Sequence, residues 1–219
     1  MNTVIKKKYP LWSIYFEDEG YDINGSRIMG RQAAGWSFLK GVINDRPERI
    51  SVYVKNNKER ELFIEKVKSV ISPDHQMEID FIPFLEPQKS QEYGGIFLPG
   101  PGISEFCSRR SYHGHDRYSL IGITHTTASK SVMTSLSSLA MSDVMPWDAI
   151  ICTSDCVLDT VNRVIDDRFE KLSSKFSIKN PIYPQLPVIP LGLDKDEFDY
   201  TEDFKKNSRK NLGIEENDI

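Results

Sequence analysis

Short runs rich in β-branched and aromatic residues alternate with amphipathic segments along most of this chain. In the amphipathic segments the apolar residues recur at helical spacing, as they do between residues 58 and 71. Alternation of this kind is typical of parallel strands joined by helices. The pattern therefore predicts an α/β protein with a doubly wound, mostly parallel sheet and helices on both faces.

The boundaries of the predicted elements follow from the same pattern. The predicted strands are 11–17, 49–55, 77–83, 94–98, 119–126, 147–153 and 187–191. The predicted helices are 30–44, 58–71, 103–112, 130–145 and 155–176. Residues 192–211 are charged and irregular, which is typical of a linker.

Charge and cysteine content exclude several classes of protein. The net charge of −4 argues against a nucleic-acid partner, because nucleic-acid binders normally have a basic surface. No apolar run has the length of a membrane span, and the N-terminus lacks the pattern of a signal peptide. Three cysteines are a sparse, odd set that fits a reducing compartment. We therefore expect a cytoplasmic protein.

Ligands of open parallel sheets bind at the carboxyl ends of the strands, and this rule selects four places. The first is the loop 24–35, where glycines at 25, 30 and 35 allow close backbone approach and the helix that follows offers free amides to an anion. Its glycines do not have the spacing of the dinucleotide-binding motif. The alternative is a turn followed by a helix of small residues that packs on the sheet.

The second place is the segment 98–102 with the arginines downstream of it. Pro99 and Gly100 could form a rigid rim, and Arg109 or Arg110 could bind a phosphate or carboxylate through paired hydrogen bonds. The alternative is a pair of solvated arginines on a helix.

The third and fourth places follow the next two strands. His125 ends a very apolar strand, beside Thr126, and an imidazole there suits contact with sugar hydroxyls or a reacting group. A structural histidine that caps the strand is the alternative. Thr153 and Ser154 precede the longest helix, where Ser154 or Asp155 would be the N-cap and free amides could also bind a ligand.

The sequence does not predict a metal site. His113 and His115 are separated by one residue, and no partner at a recognised zinc spacing accompanies them. Cys152 and Cys156 lack a second pair. We therefore expect neither a metal nor another cofactor.

Five segments in order resemble the N-terminal domain of nucleotide-sugar glycosyltransferases of the family-four type, which have the GT-B architecture. They are IMGRQAAGWSFLKG, FLPGPGISEFCSRR, SLIGITHTTASKSVM, WDAIICTSDCVLDTV, and PQLPVIPLGLDKDEF with RKNLGI. Together they extend from about residue 28 to the end of the chain.

This resemblance implies a Rossmann-like acceptor-side domain at 1–195 and a charged linker at 196–219. A C-terminal domain that binds the nucleotide sugar, the co-substrate of the reaction, would follow an interdomain hinge at 190–194. The implied reaction is retaining glycosyl transfer to a glycan or lipid-linked acceptor in polysaccharide biosynthesis. The resemblance places Gly30, Arg31 and Gln32 near the donor phosphates or the acceptor, and His125 against the transferred sugar as the catalytic residue. Without the second domain, we expect these 219 residues alone to be inactive.

Two alternatives remain open at this point. One is a stand-alone glycan-binding or accessory subunit with the same fold and no catalysis. The other is an epimerase or phosphorylase of the same architecture, against which the Pro-Leu-Gly-Leu-Asp run argues by resemblance. Lys6–Lys8 would suit peripheral contact with the inner face of a membrane, although lysines at a terminus are usually just solvated.

Overall fold

Six parallel strands form the centre of the protein. The computed structural model describes residues 12–24, 30–178, 180–192 and 200–214. Its strands are β1 (Ser13–Phe16), β2 (Arg49–Val54), β3 (Glu78–Pro83), β4 (Gly95–Phe97), β5 (Ser119–Thr124) and β6 (Ala149–Cys152). They lie in the order β3-β2-β1-β4-β5-β6, and every neighbouring pair is parallel. The prediction of an α/β fold with a parallel sheet is confirmed.

Helices cover both faces of this sheet. They are α1 (Gly30–Asn44), α2 (Asn57–Val70), α3 (Ser104–Ser111), α4 (Lys130–Ser138) and α5 (Asp155–Phe176). A further helix, α6 (Glu202–Asn211), has no buried residue. One buried cluster joins α1 and α2 to β1 and β2, and a second joins α3, α4 and α5 to the opposite face. Alternation of side chains along each strand supplies both clusters, since Ile14 belongs to one and Tyr15 to the other. The predicted doubly wound arrangement is therefore also confirmed.

The strand order determines where a ligand crevice lies. Chain connections run outward in opposite directions from β1 and β4, which are neighbours in the sheet. Loops that leave such a pair at its carboxyl ends diverge to opposite faces and open a crevice between them. Gly20 in the loop after β1 and Pro99 in the loop after β4 therefore mark this crevice. A Cβ on Gly20 would lie 3.4 Å from Cγ of Pro99.

Close packing of α1 against the loop after β1 depends on one glycine. A Cβ on Gly35 would lie 2.3 Å from the carbonyl oxygen of Gly20, so no larger residue fits without a backbone shift. At Gly30, by contrast, no described atom lies within 4 Å of the corresponding position. For Gly35, the structure thus supports the alternative of a helix that packs closely on the sheet.

Two predicted elements differ from the structure near the end of the chain. The strand predicted at 187–191 is reduced to two isolated bridges, which join Gln185 and Val188 to β6. Pro187 lies between them and has no N–H to donate, so a regular ladder cannot form. Within the predicted linker, Glu202–Asn211 forms α6, capped by the Thr201 side chain, which accepts from the amide of Phe204.

Other predictions fall on residues that the structure does not describe. These are Lys6–Lys8, residues 25–29 of the first loop, and residues 193–199, which contain the predicted domain boundary and part of the predicted hinge. Among the described helices, none has both the length and the apolar character that crossing a bilayer requires.

Candidate functional site

The carboxyl edge of the sheet brings together three of the predicted loops. The first turn of α1 carries Arg31, the loop after β4 carries Pro99, and His125 directly follows β5. Arg31 and Pro99 both lie close enough to influence the charge of the His125 ring. The three loops therefore converge on the crevice between β1 and β4.

His125 is the most unusual side chain of this site. Both of its ring nitrogens are buried, and neither makes a hydrogen bond of good geometry to the described residues. Burial lowers the pKa of His125 below the ordinary histidine value, and the positive charge of Arg31 lowers it further. The carbonyl of Pro99 acts in the opposite direction. At neutral pH the imidazole is therefore uncharged, with one donor and one acceptor that the described residues leave unsatisfied.

Arg31 is only partly neutralised by its acidic neighbour. Its guanidinium donates to Oε1 of Glu19 at 2.7 Å, and the Arg31 side chain remains 39% exposed. The Nε atom of Arg31 is buried without a hydrogen-bond partner among the described residues. A guanidinium can donate five hydrogen bonds, so Arg31 retains donors for an anion. Gly30 is exposed and Gln32 is half-buried in the same helical turn.

The loop that carries Pro99 and Gly100, the predicted rim, is held against β5. The carbonyl of Gly100 accepts a hydrogen bond from the amide of Ile123 in β5 at 3.2 Å. A Cβ on Gly122 would lie 2.8 Å from that same carbonyl oxygen, so the rim rests directly on β5. This contact holds the rim in place on the strand that leads to His125.

The three hydroxyl side chains predicted for this edge, those of Thr126, Thr153 and Ser154, have local partners. Thr153 donates to the carbonyl of Thr124 at 3.1 Å, and Thr126 accepts from the amide of Ala128 at 3.2 Å. Ser154 is the N-cap of α5 and accepts from the amide of Val157 at 3.3 Å. The capping role predicted for Ser154 is confirmed, and Thr153 and Thr126 stabilise the strand ends.

Arg110 does not join the site, and both interpretations of it from the sequence are wrong. Its side chain is completely buried and donates to both carboxylate oxygens of Asp148, at 2.5 and 2.7 Å. It also donates to the carbonyls of Tyr118 and Asp143 at 2.9 and 3.2 Å. Tyr118 and Asp148 immediately precede β5 and β6, so Arg110 lies at the amino edge of the sheet. It therefore stabilises the fold and is not solvated.

A second group of interacting side chains at the carboxyl edge was not predicted. Lys55 directly follows β2 and pairs with Glu17, which directly follows β1. Phe84 follows β3, and the guanidinium of Arg109 lies 3.9 Å from the centre of its ring. Arg109 also donates to Oε1 of Glu105 at 2.8 Å. The position of Glu17, Lys55 and Phe84 at strand ends is the signal that could have identified this group.

Comparisons with known proteins add no assignment. Searches against protein-family models, curated proteins and solved structures return no significant match. Among the described residues, no group of three or more His, Cys, Asp or Glu side chains could hold a metal ion.

Proposed function

We propose that this chain is the acceptor-side domain of a retaining glycosyltransferase. The enzyme would transfer a sugar from a nucleotide-sugar donor to a glycan or lipid-linked acceptor in polysaccharide biosynthesis. One observation carries the proposal: His125, whose two ring nitrogens are buried and make no hydrogen bond of good geometry to the described residues, lies near Arg31 and Pro99 at the carboxyl edge of the sheet, where β1 and β4 are neighbours. Ligands of doubly wound sheets bind in the crevice at such a pair of strands.

The charges of the site suit a diphosphate leaving group. When the bond between the anomeric carbon and the phosphate oxygen breaks, negative charge accumulates on the phosphate. Arg31 can donate to that charge, and the first turn of α1 adds amide groups and the positive end of its dipole. The helix amides are part of the fold before the reaction, so they can stabilise the transition state without reorganisation of the site.

His125 suits a different part of the donor. Because its pKa is lowered, the ring is uncharged at neutral pH and can both donate to and accept from hydroxyl groups. A sugar hydroxyl also both donates and accepts, so it satisfies either ring nitrogen. We therefore assign His125 to the transferred sugar and Arg31 to the phosphates.

The proposal includes a second domain that closes the crevice and holds the nucleotide. It also places the protein in the cytoplasm, at the inner face of the membrane when the acceptor is lipid-linked. The alternative of a glycan-binding accessory subunit is separated from this proposal by the second experiment below.

The first experiment measures anion binding with inorganic pyrophosphate as the probe. We expect Arg31→Gln to weaken pyrophosphate binding about tenfold, since one charged hydrogen bond is lost. Arg46→Gln is the matched control, because Arg46 also pairs with one exposed carboxylate, Asp74, at 2.9 Å but lies in the loop between α1 and β2. Equal affinities in both variants, measured by titration calorimetry, would contradict the assignment of Arg31.

The second experiment measures transfer by the full-length protein. It is incubated with a panel of radiolabelled nucleotide sugars and with glycan and lipid-linked acceptors. We expect labelled product with retained anomeric configuration, and a loss of about 100-fold or more in His125→Ala. Glycan binding without any transfer, unchanged in His125→Ala, would instead establish the accessory subunit.

A further inference from the structure

A second depression opens on the face of the sheet that carries α3. It lies between the segment that leaves β3 and the outer side of α3, and we call it the α3 groove. Its lining includes Phe84, Leu85, Glu105, Ser108, Arg109 and Tyr112. Its volume is about 420 Å³, which is within the range of sites for small molecules.

The floor of the α3 groove is rigid. The Phe84 ring stacks on Tyr53 with 5.4 Å between ring centres, and Tyr53 is completely buried. The hydroxyl of Tyr53 donates to the carbonyl of Phe84 at 2.7 Å, which fixes the backbone at the same point. The guanidinium of Arg109 also contacts the Phe84 ring, with its central carbon 3.9 Å from the ring centre. A ligand would therefore meet a preorganised surface.

Two large side chains of the groove lining are exposed and do not pack into the core. Tyr112 is 87% exposed and Leu85 is 83% exposed, although both belong to the lining of one groove. Neither contributes appreciably to folding, because burial of apolar area is what stabilises the fold. An exposed tyrosine offers a flat apolar face and a polar hydroxyl, which is the combination enriched at binding surfaces.

The polar groups of the groove offer both donors and acceptors, and their charges cancel. Glu105 and Arg109 form an ion pair at 2.8 Å, and the neighbouring residue Ser108 adds a hydroxyl group to the lining. Nearby, Lys55 is likewise neutralised by Glu17. Because these pairs leave no net charge, the groove does not select an anion. The hydroxyl groups of a ligand both donate and accept hydrogen bonds, so they match the mixed donors and acceptors of the groove.

We propose that the α3 groove binds uncharged sugar residues of a glycan, with a pyranose ring stacked on Tyr112. A pyranose presents C–H groups on its face, which pack on an aromatic ring, and hydroxyls at its rim, which reach Glu105, Ser108 and Arg109. The role of this glycan as the acceptor rests on the proposed transferase function. Glu17 and Lys55 pair at the ends of β1 and β2, and Nζ of Lys55 lies 5.9 Å from the centre of the Phe84 ring, so this part of the carboxyl edge adjoins the groove.

The inference is tested with the full chain on an array of neutral and acidic oligosaccharides and unrelated peptides. We expect binding to neutral oligosaccharides, weakened about tenfold in Tyr112→Ala and in Ser108→Trp, which fills the groove. Both positions are exposed, so these variants should fold. Phe176→Ala is the matched control, because Phe176 is an exposed aromatic residue at the end of α5, outside the groove.

The possible results distinguish the proposal of a glycan-binding groove from the proposal of a transferase. Binding that depends on Tyr112 supports the groove even if no nucleotide sugar is transferred, and in that case only the transferase function fails. Absence of oligosaccharide binding overturns the groove. So does equal binding by the wild type and the Tyr112→Ala and Ser108→Trp variants, or a preference for acidic glycans or peptides. Pyrophosphate binding should be the same in Tyr112→Ala as in the wild type.

Discussion

Arg31 and Arg110 lie at opposite edges of one sheet, and their surroundings differ in kind. Arg110 at the amino edge donates to both oxygens of Asp148 and to two carbonyls, with no exposed surface. Nε is buried without a partner among the described residues in both arginines, but Arg31 at the carboxyl edge has a single carboxylate partner among those residues and its side chain stays 39% exposed. The comparison teaches that burial of the guanidinium, and the partners of its two terminal nitrogens, separate arginines that hold the fold from arginines available to a ligand.

The largest loss of stability is expected when Asp148, the carboxylate partner of Arg110, is removed. Asp148→Ala should lower the free energy of unfolding by about 3–5 kcal/mol, because it leaves a guanidinium charge buried without compensation. The amides of Leu120 and Met145, which donate to Asp148 at 2.8 Å, also lose their acceptor. Urea unfolding followed by circular dichroism measures this loss.

A double variant distinguishes buried charge from lost packing. Arg110→Met with Asp148→Ala removes both charges, so it should be less destabilised than Asp148→Ala alone. If the double variant is the less stable of the two, the buried charge is not the cause, and the contrast between the two arginines fails.

An intermediate loss of stability is expected from a substitution at the contact between α1 and the loop after β1. Gly35→Ala places a Cβ against the Gly20 carbonyl, and overpacking of this kind costs about 1–3 kcal/mol of unfolding free energy. Because α1 carries Arg31, the same change should weaken pyrophosphate binding. Gly41→Ala on the same helix is the control. No described atom lies within 4 Å of its Cβ position, so it should stabilise by about 0.5–1 kcal/mol.

Most of the fold could be predicted from the sequence, because the alternation of apolar runs and amphipathic segments directly reports the strand and helix periods. The prediction failed where one residue decides the outcome. Pro187 interrupts the pairing of the last segment with β6, and the charged composition of α6 concealed a helix capped by Thr201. Both signals are local and chemical, whereas hydrophobic periodicity averages over several residues.

The position of a site residue could be predicted only where that residue closely follows the end of a strand. His125 and Pro99 follow strands directly, so the rule for parallel sheets placed them correctly at the carboxyl edge. Arg110 lies in the last turn of α3, and eight helical residues rise about 12 Å, enough to carry it to the opposite edge. Its spacing of three and four residues from the buried Cys107 and Phe106 was the available signal.

The smallest effect, of opposite sign, is expected at His125. His125→Phe puts an apolar ring of similar shape in place of two buried nitrogens that have no hydrogen-bond partner in the described part of the chain. We expect the free energy of unfolding to rise by about 0.5–1 kcal/mol, because the desolvation cost of the nitrogens disappears. Loss of sugar transfer with a gain of stability would contrast directly with Asp148→Ala, which should lose stability.

The pH dependence of that gain identifies its cause. The pKa of His125 is lowered in the folded protein, so the unfolded chain binds the proton first as the pH falls. The wild type therefore loses stability below the ordinary histidine pKa of about 6.5, and the variant lacks this contribution. The difference in unfolding free energy between His125→Phe and wild type should grow from pH 7.5 to pH 5.5, and titration of the other histidines cancels in it. A difference that stays constant over this range would show that the ring is not kept neutral by its surroundings, and the distinction between the two edges would then rest on Arg31 alone.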